Sequence, residues 1–244
     1  MNDRLATRTI GEIVATDFRT AAVFEQFGID FCCGGRRLFA DACRTSAADP
    51  AAVIGALDAL PAPDDSVDDV TRWPTERLIE HIVSIHHGYV RSAVPTIARR
   101  LMKLEEEHRA RHPELSRLRV YFDHIGADLQ QHMAKEEQVL FPYVRELAAR
   151  EETCGPTRSP FGTIENPIHM MEREHREAAD GLRVIRELTH GYAVPSDGCT
   201  TYAVCMAELT RFERDLHQHV HLENNVLFPR AIELEHEACG VDRG

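Results

Sequence analysis

Apolar side chains recur every three to four positions through most of this chain, the spacing that lines them along one face of an α-helix. Over residues 9–27 the series Ile10, Ile13, Val14, Phe18, Ala21, Phe24 and Phe27 predicts one helix, with Gly28 as its stop. Shorter helices are expected over residues 38–43 and 51–60. Residues 61–71 are acidic and proline-containing, which marks a linker. Four long stripes follow. The first, with Pro74 near its first turn, runs through Ile79, Val83, His87, Val90, Val94, Ile97, Leu101 and Leu104. The second spans residues 113–150 through Leu118, Tyr121, Ile125, Leu129, His132, Glu136, Val139, Tyr143 and Leu147, and Pro142 must kink or weaken it. A loop is expected over residues 153–163. Asn166-Pro167 then opens a third stripe of Ile168, Met171, His175, Ala178, Leu182 and Ile185. Ser196-Asp197 is expected to cap the fourth helix, which ends near Glu237. The pattern predicts an all-α protein: an antiparallel four-helix bundle over residues 72–238, preceded by a small helical domain over residues 1–60.

Polar residues interrupt the stripes in an ordered way. Each long helix carries one histidine on its apolar face, at His87, His132, His175 and His219, separated by 45, 43 and 44 residues. One helix plus one connection has about that length, so the four rings are expected at similar depth in the bundle. His86 is turned about 100° from His87, and it and His81 are expected in solvent.

The second and fourth helices share a longer pattern. Asp128, His132, Glu136 and Pro142 return as Asp215, His219, Glu223 and Pro229, each displaced by 87 residues. Asp, His and Glu four apart stack on one helix face. Two carboxylates buried unpaired in an apolar core would cost several kcal/mol each, and with four imidazoles at matched depth beside them a metal is the partner that suits all six. Nitrogen and oxygen donors without thiolate favour iron or manganese over structural zinc. Four histidines shared by two metals, with Glu136 and Glu223 bridging and an oxo or hydroxo bridge added, leave one open position on each six-coordinate ion. Asp128 and Asp215 are placed to orient the rings of His132 and His219. His217 and His221 flank His219 on the wrong face to replace it.

Charge changes the picture by exclusion. A formal charge of −12 argues against a nucleic-acid or anionic-membrane surface. No apolar run reaches membrane-spanning length and no secretory leader is expected at the start, so the expected address is cytoplasmic. Seven cysteines, odd in number and irregularly spaced, do not form a disulfide scaffold. Cys32-Cys33-Gly34-Gly35-Arg36-Arg37 stands apart. Its two glycines suggest a tight turn, and its arginines would favour a thiolate.

His87, His132-x3-Glu136, His175 and His219-x3-Glu223, with both Leu-Phe-Pro tails, resemble the hemerythrin HHE cation-binding domain. Joined to Asp30-Phe31-Cys32-Cys33-Gly34-Gly35, they resemble the RIC family (repair of iron centres, ScdA/YtfE type) over residues 9–235. The resemblance implies a hemerythrin-like bundle with two non-haem irons on those six residues. It also implies repair of iron–sulfur clusters damaged by nitric oxide or reactive oxygen species. The expected partners are damaged iron–sulfur proteins, with a homodimer left open. Cys32 and Cys33 would relay iron or nitric oxide. Two alternatives stay open: a di-iron enzyme reducing nitric oxide or peroxide, and an oxygen or nitric-oxide sensor of hemerythrin type. Four histidines, where carriage suits five, speak mildly against the last.

Overall fold

The computed structural model describes residues 5, 7–61, 69–149 and 161–239. They are helical apart from turns and one isolated antiparallel bridge, Thr9 to Leu38. The all-α expectation holds. Residues 62–68 of the expected linker and 153–160 of the expected loop lie outside the described residues.

Thr9 caps α1 (Ile10–Thr16) through a reciprocal box: its hydroxyl accepts from Glu12 N at 3.2 Å, and the Glu12 carboxylate accepts from Thr9 N at 2.8 Å. The single helix expected over residues 9–27 is in fact two. Asp17 Oδ1 accepts the Arg19 N–H at 3.0 Å and its carboxylate pairs with the Arg19 guanidinium at 2.7 Å. That side-chain turn offers the backbone an alternative to helix, and α2 (Thr20–Gln26) begins only after it. Gly28, at φ 65°, ends α2 as expected. Helices α3 (Phe39–Thr45) and α4 (Pro50–Asp58) follow, the latter capped by Asp49.

The remaining elements are α5 (Thr75–His81), π1 (Ile82–His87), α6 (Gly88–His108), α7 (Glu114–Lys135), π2 (Glu136–Leu140), α8 (Phe141–Ala148), α9 (Glu165–Leu188), α10 (Thr200–Leu222), π3 (Glu223–Leu227) and α11 (Phe228–Cys239). Here π denotes a turn closed by a five-residue hydrogen bond. By contacts the chain forms two compact units. One comprises Met1–Ile79, Leu147–Glu165 and Gln218–Gly244, the other Glu80–Glu146 and Asn166–His217. The first therefore gathers segments from both ends of the sequence.

The second unit is an antiparallel four-helix bundle. Arg119 of α7 meets Glu105 of α6 at 2.5 Å, while nearer its other end Gly126 of α7 lies against Val94. Helix α10 and the Cys199 just before it pair with α6 through His108–Cys199, Arg100–Glu208 and Tyr89–Phe212, a series that runs in opposite senses on the two segments. Helix α9 meets α7 through His132–His175 and Ile125–Gly181, and meets α10 through Arg186–Glu213 at 2.8 Å. All six residues expected on the inner face of α9 are buried. Each such Leu, Ile or Met contributes about 1.5–3 kcal/mol of burial.

Where a π turn intervenes, the expected phase slips. Val139 is 47% exposed, and Leu140 takes the core position expected of it. In π2 the Phe141 N–H donates to Glu136 O, and in π3 the Phe228 N–H donates to Glu223 O. Pro142 and Pro229 follow directly, so each proline's missing N–H falls in a turn already widened. The kink expected at Pro142 takes this form. The same widening in π1 buries both His86 and His87, correcting the expectation that His86 is solvated. His81 is half-buried against it, ring centroids 5.5 Å apart. Two expected caps also move. Helix α9 starts one residue before Asn166, and α10 starts after Asp197, which instead pairs with Arg111 and His112.

Candidate metal centre

In the bundle unit π1, α7, π2 and α9 bring His87, His132, Glu136 and His175 together, all buried. Glu136 faces two ways. Its Oε2 lies 3.4 Å from His87 Nε2 and its Oε1 lies 3.2 Å from His132 Nε2. His175 Nε2 is 2.9 Å from His132 Nε2. Phe141 stacks on the His87 ring at 5.9 Å and fixes its plane.

The far nitrogens decide what the near ones offer. His87 Nδ1 is 2.6 Å from the Glu137 carboxylate, which also takes the Arg91 guanidinium. His132 Nδ1 is 2.8 Å from the Glu174 carboxylate, which also takes Lys135 at 2.5 Å. An ionised carboxylate only accepts, so each Nδ1 carries a proton, and the neutral ring then presents its lone pair at Nε2. The His132 hydrogen bond leads in holding the Glu174 carboxyl down to about 2, with Lys135 adding to it against burial. Burial pushes Glu137 up, but His87 and Arg91 outweigh it and keep it below the ordinary carboxylate range. Both thus stay ionised at neutral pH. Lone pairs aimed at a buried carboxylate repel unless a cation lies between, so the donor set fits a metal ion.

The orienting carboxylates are therefore Glu137 and Glu174, not the expected aspartates. Asp128 is exposed, on the wall of a cleft of about 590 Å³ that reaches His132 between α7 and α9. Asp215 does orient a buried histidine, but it is His86, at 3.1 Å from Nδ1. Helix periodicity cannot reveal Glu137 and Glu174, because each serves a ring on a neighbouring helix. One signal was present: the position after the first copy's ligand-type Glu is another Glu, where the second copy has Asn224.

In the other unit His219 Nε2 is 2.9 Å from Glu223 Oε1, one turn apart as the repeat requires, both buried. The expected cysteine turn is also there. Asp30 Oδ1 accepts from Cys32 N at 3.1 Å and Cys33 N at 2.9 Å, and one ligand atom from each of these three residues lies within 4.8 Å of the others. The thiols are free, with no disulfide between them. Activation by the arginines does not reach Cys32. Its contact with the Cys33 thiol, burial and the Asp30 carboxylate all push its pKa well above the ordinary value. Cys33 is the half-exposed member of the pair.

The loop is held by π3: Asn225 Nδ2 donates to Cys32 O at 3.0 Å and Phe31 O at 3.3 Å, and Asn224 Nδ2 to Cys32 O at 3.4 Å. His221, expected merely off the ligand face, is a packing residue against Phe18 and Phe31, with centroids 6.1 and 5.7 Å away.

Comparison with known proteins agrees with this geometry. Residues 6–61 match ScdA_N, described as a domain of unknown function (DUF542), and residues 78–231 match the hemerythrin HHE cation binding domain. The chain is 33% identical over 225 residues to the iron-sulfur cluster repair protein YtfE of Musicola paradisiaca, covering 92% of this chain and 96% of that protein. It is 34% identical over 226 residues to the protein of the same name from Dickeya chrysanthemi, with the same coverage. The matched domain and the buried His and Glu donors make this a cation-binding centre suited to iron. No described helix is long and apolar enough to cross a membrane. The chain belongs to the RIC family, that of the YtfE-type iron-sulfur cluster repair proteins, with an ScdA_N segment ahead of a hemerythrin HHE domain.

Proposed function

We propose that this chain is a non-haem di-iron protein of the cytoplasm that restores iron–sulfur clusters damaged by nitric oxide or reactive oxygen species, by donating iron. His87, His132, Glu136, His175, His219 and Glu223 are the proposed ligands. One observation carries the two-iron reading: the two oxygens of Glu136 face two different histidines, each with its lone pair fixed by a separate carboxylate. A carboxylate so placed would reach two ions, one beside each histidine. The 87-residue repeat supplies its counterpart, Glu223, with His219. Iron held there would supply a labile cargo for transfer.

The chain's own groups support delivery. Glu137 and Glu174 hold the imidazoles ready to bind, and the cleft beside His132 gives that ligand a route to solvent. Cys32 and Cys33, with Asp30, take up iron on its way to a client protein. In this reading residues 1–60 are the relay module and residues 72–238 the iron-holding one.

The test measures two quantities together. Iron-loaded protein is incubated with a [4Fe–4S] enzyme inactivated by nitric oxide. Recovery of that enzyme's activity should track iron lost from this chain. Steady consumption of nitric oxide with no iron lost would replace donation with a nitric-oxide reductase.

A further inference from the structure

The bundle unit carries a second group of donors remote from the first. Glu107 and His108 close α6, Cys199 immediately precedes α10, and one ligand atom from each lies within 4.8 Å of the other two. His108 Nε2 is 3.4 Å from Cys199 Sγ. A tetrahedral ion bonded at about 2.0–2.1 Å to nitrogen and about 2.3 Å to sulfur holds those atoms about 3.5 Å apart. The pair is already spaced for one.

The surroundings hold the imidazole in place. His108 is buried, with the His112 ring 6.3 Å and the Tyr202 ring 5.8 Å from it, both edge-on. His112 is fixed in turn, with Nδ1 3.0 Å from Glu114 and Nε2 3.0 Å from Asp197. Arg111 anchors Asp197 from outside at 2.9 Å. Cys199 is half-buried and Glu107 exposed, so the donors open towards solvent. His108 is the last of the 21 residues of α6, which begins directly after His87, a rise of about 30 Å. No ion at His108 can be shared with the His87 cluster.

We propose that Glu107, His108 and Cys199 bind one divalent transition-metal ion of borderline softness, with zinc the best fit and water as fourth ligand. Imidazole plus thiolate selects such an ion over magnesium or calcium, and a single carboxylate completes the set without excess charge. Binding needs the thiolate and the Nε2 lone pair. The thiol proton leaves to solvent and the imidazole proton sits on Nδ1, so zinc uptake releases a proton and strengthens with rising pH.

The experiment uses the iron-loaded full chain, dialysed against zinc, with zinc and iron both counted. Wild type and Cys32→Ser/Cys33→Ser should each take up one zinc and keep their iron. Cys199→Ser should bind that zinc at least tenfold more weakly. Glu107→Gln, at an exposed position that does not threaten the fold, should weaken it severalfold with helicity unchanged. Cobalt in place of zinc should give a near-ultraviolet thiolate band in wild type and none in Cys199→Ser. The proposal is overturned by zinc that enters only as iron leaves, by full uptake in Cys199→Ser, or by uptake lost in the Cys32→Ser/Cys33→Ser variant.

Discussion

The two copies of the 87-residue repeat agree at their His and Glu and in the Val-Leu-Phe-Pro tail, and they part at the positions just beside the Glu. Both place His and Glu one turn apart, and both follow Glu with a π turn in which a Phe N–H reaches back to that Glu's own carbonyl. The next positions diverge. In the first copy Glu137 accepts from His87 and holds a ligand-type ring in register. In the second, Asn224 and Asn225 donate to backbone carbonyls of the cysteine loop. Ala134 in the first copy corresponds to His221 in the second, which packs against Phe18 and Phe31. The difference follows from donor chemistry. A carboxylate accepts and so suits an imidazole N–H; a carboxamide donates and so suits a peptide carbonyl. One copy is specialised to tune the centre, the other to seat the N-terminal segment.

If the likeness is imposed by metal, the largest effect should be equal in both copies. Glu136→Ala and Glu223→Ala should each reduce bound iron from about two per chain to less than one, measured by metal analysis on folded protein. Either variant retaining full iron would break the equivalence and remove one of the two bridges.

The next effect should be confined to the first copy and its neighbours. Glu174→Ala and Glu137→Ala should keep iron but weaken it roughly ten- to a hundredfold, the usual consequence of freeing a ligand's far nitrogen. Asp128→Ala should change iron retention little, since that carboxylate is exposed and His132 is held from α9. Competition with a chelator separates these outcomes. A loss at Asp128 equal to that at Glu174 would return the aspartate to an orienting role.

These residues also mark how far the sequence could be read. The inner face of α9 was legible throughout because nothing interrupts its 3.6-residue period. Four of the proposed ligands, His132, Glu136, His219 and Glu223, were legible because an exact displacement repeats them, and His87 and His175 because each takes an apolar slot on its stripe. Legibility failed at the π turns, where one widened turn moves the phase: His86 goes inside and Val139 outside. It failed at Asp17, whose side chain breaks a helix that the apolar spacing carries straight through. It failed for Glu137 and Glu174, whose partners lie on other helices. Periodicity reports which face a residue shares with its own helix, not what approaches that face.

The second copy can be tested apart from iron. Asn225→Ala removes the amide that donates two hydrogen bonds to the cysteine loop, worth about 0.5–1.5 kcal/mol each. Cys32 and Cys33 should react with a thiol reagent roughly tenfold faster while iron content stays at the wild-type level. Gln138→Ala, the same position in the first copy, should do neither, because that side chain is exposed. Gly35→Ala should loosen the loop further, since its Cβ would sit 2.2 Å from Asn225 Oδ1 and 2.6 Å from Phe31 O. Iron lost in Asn225→Ala would show that the asparagine supports the centre, and the division of labour between the copies would fall.

The smallest effect concerns the cation behind each orienting carboxylate. Lys135 sits 2.5 Å from Glu174 and is 44% exposed; in the second copy the equivalent position is the buried Leu222. Its charge favours the ionised carboxylate that accepts from His132, so Lys135→Met should weaken iron retention. The effect should be modest, because an exposed pair contributes about 0.2–1 kcal/mol, or roughly a two- to fivefold change. Salt should then erase it. At 1 M ionic strength the screening length falls from about 8 Å to about 3 Å, and the variant and wild type should release iron to a chelator at the same rate. Arg91→Met, behind Glu137, should behave alike. A loss that persists at high salt would mean that Lys135 acts by packing its methylene stem against the cleft, and not through Glu174.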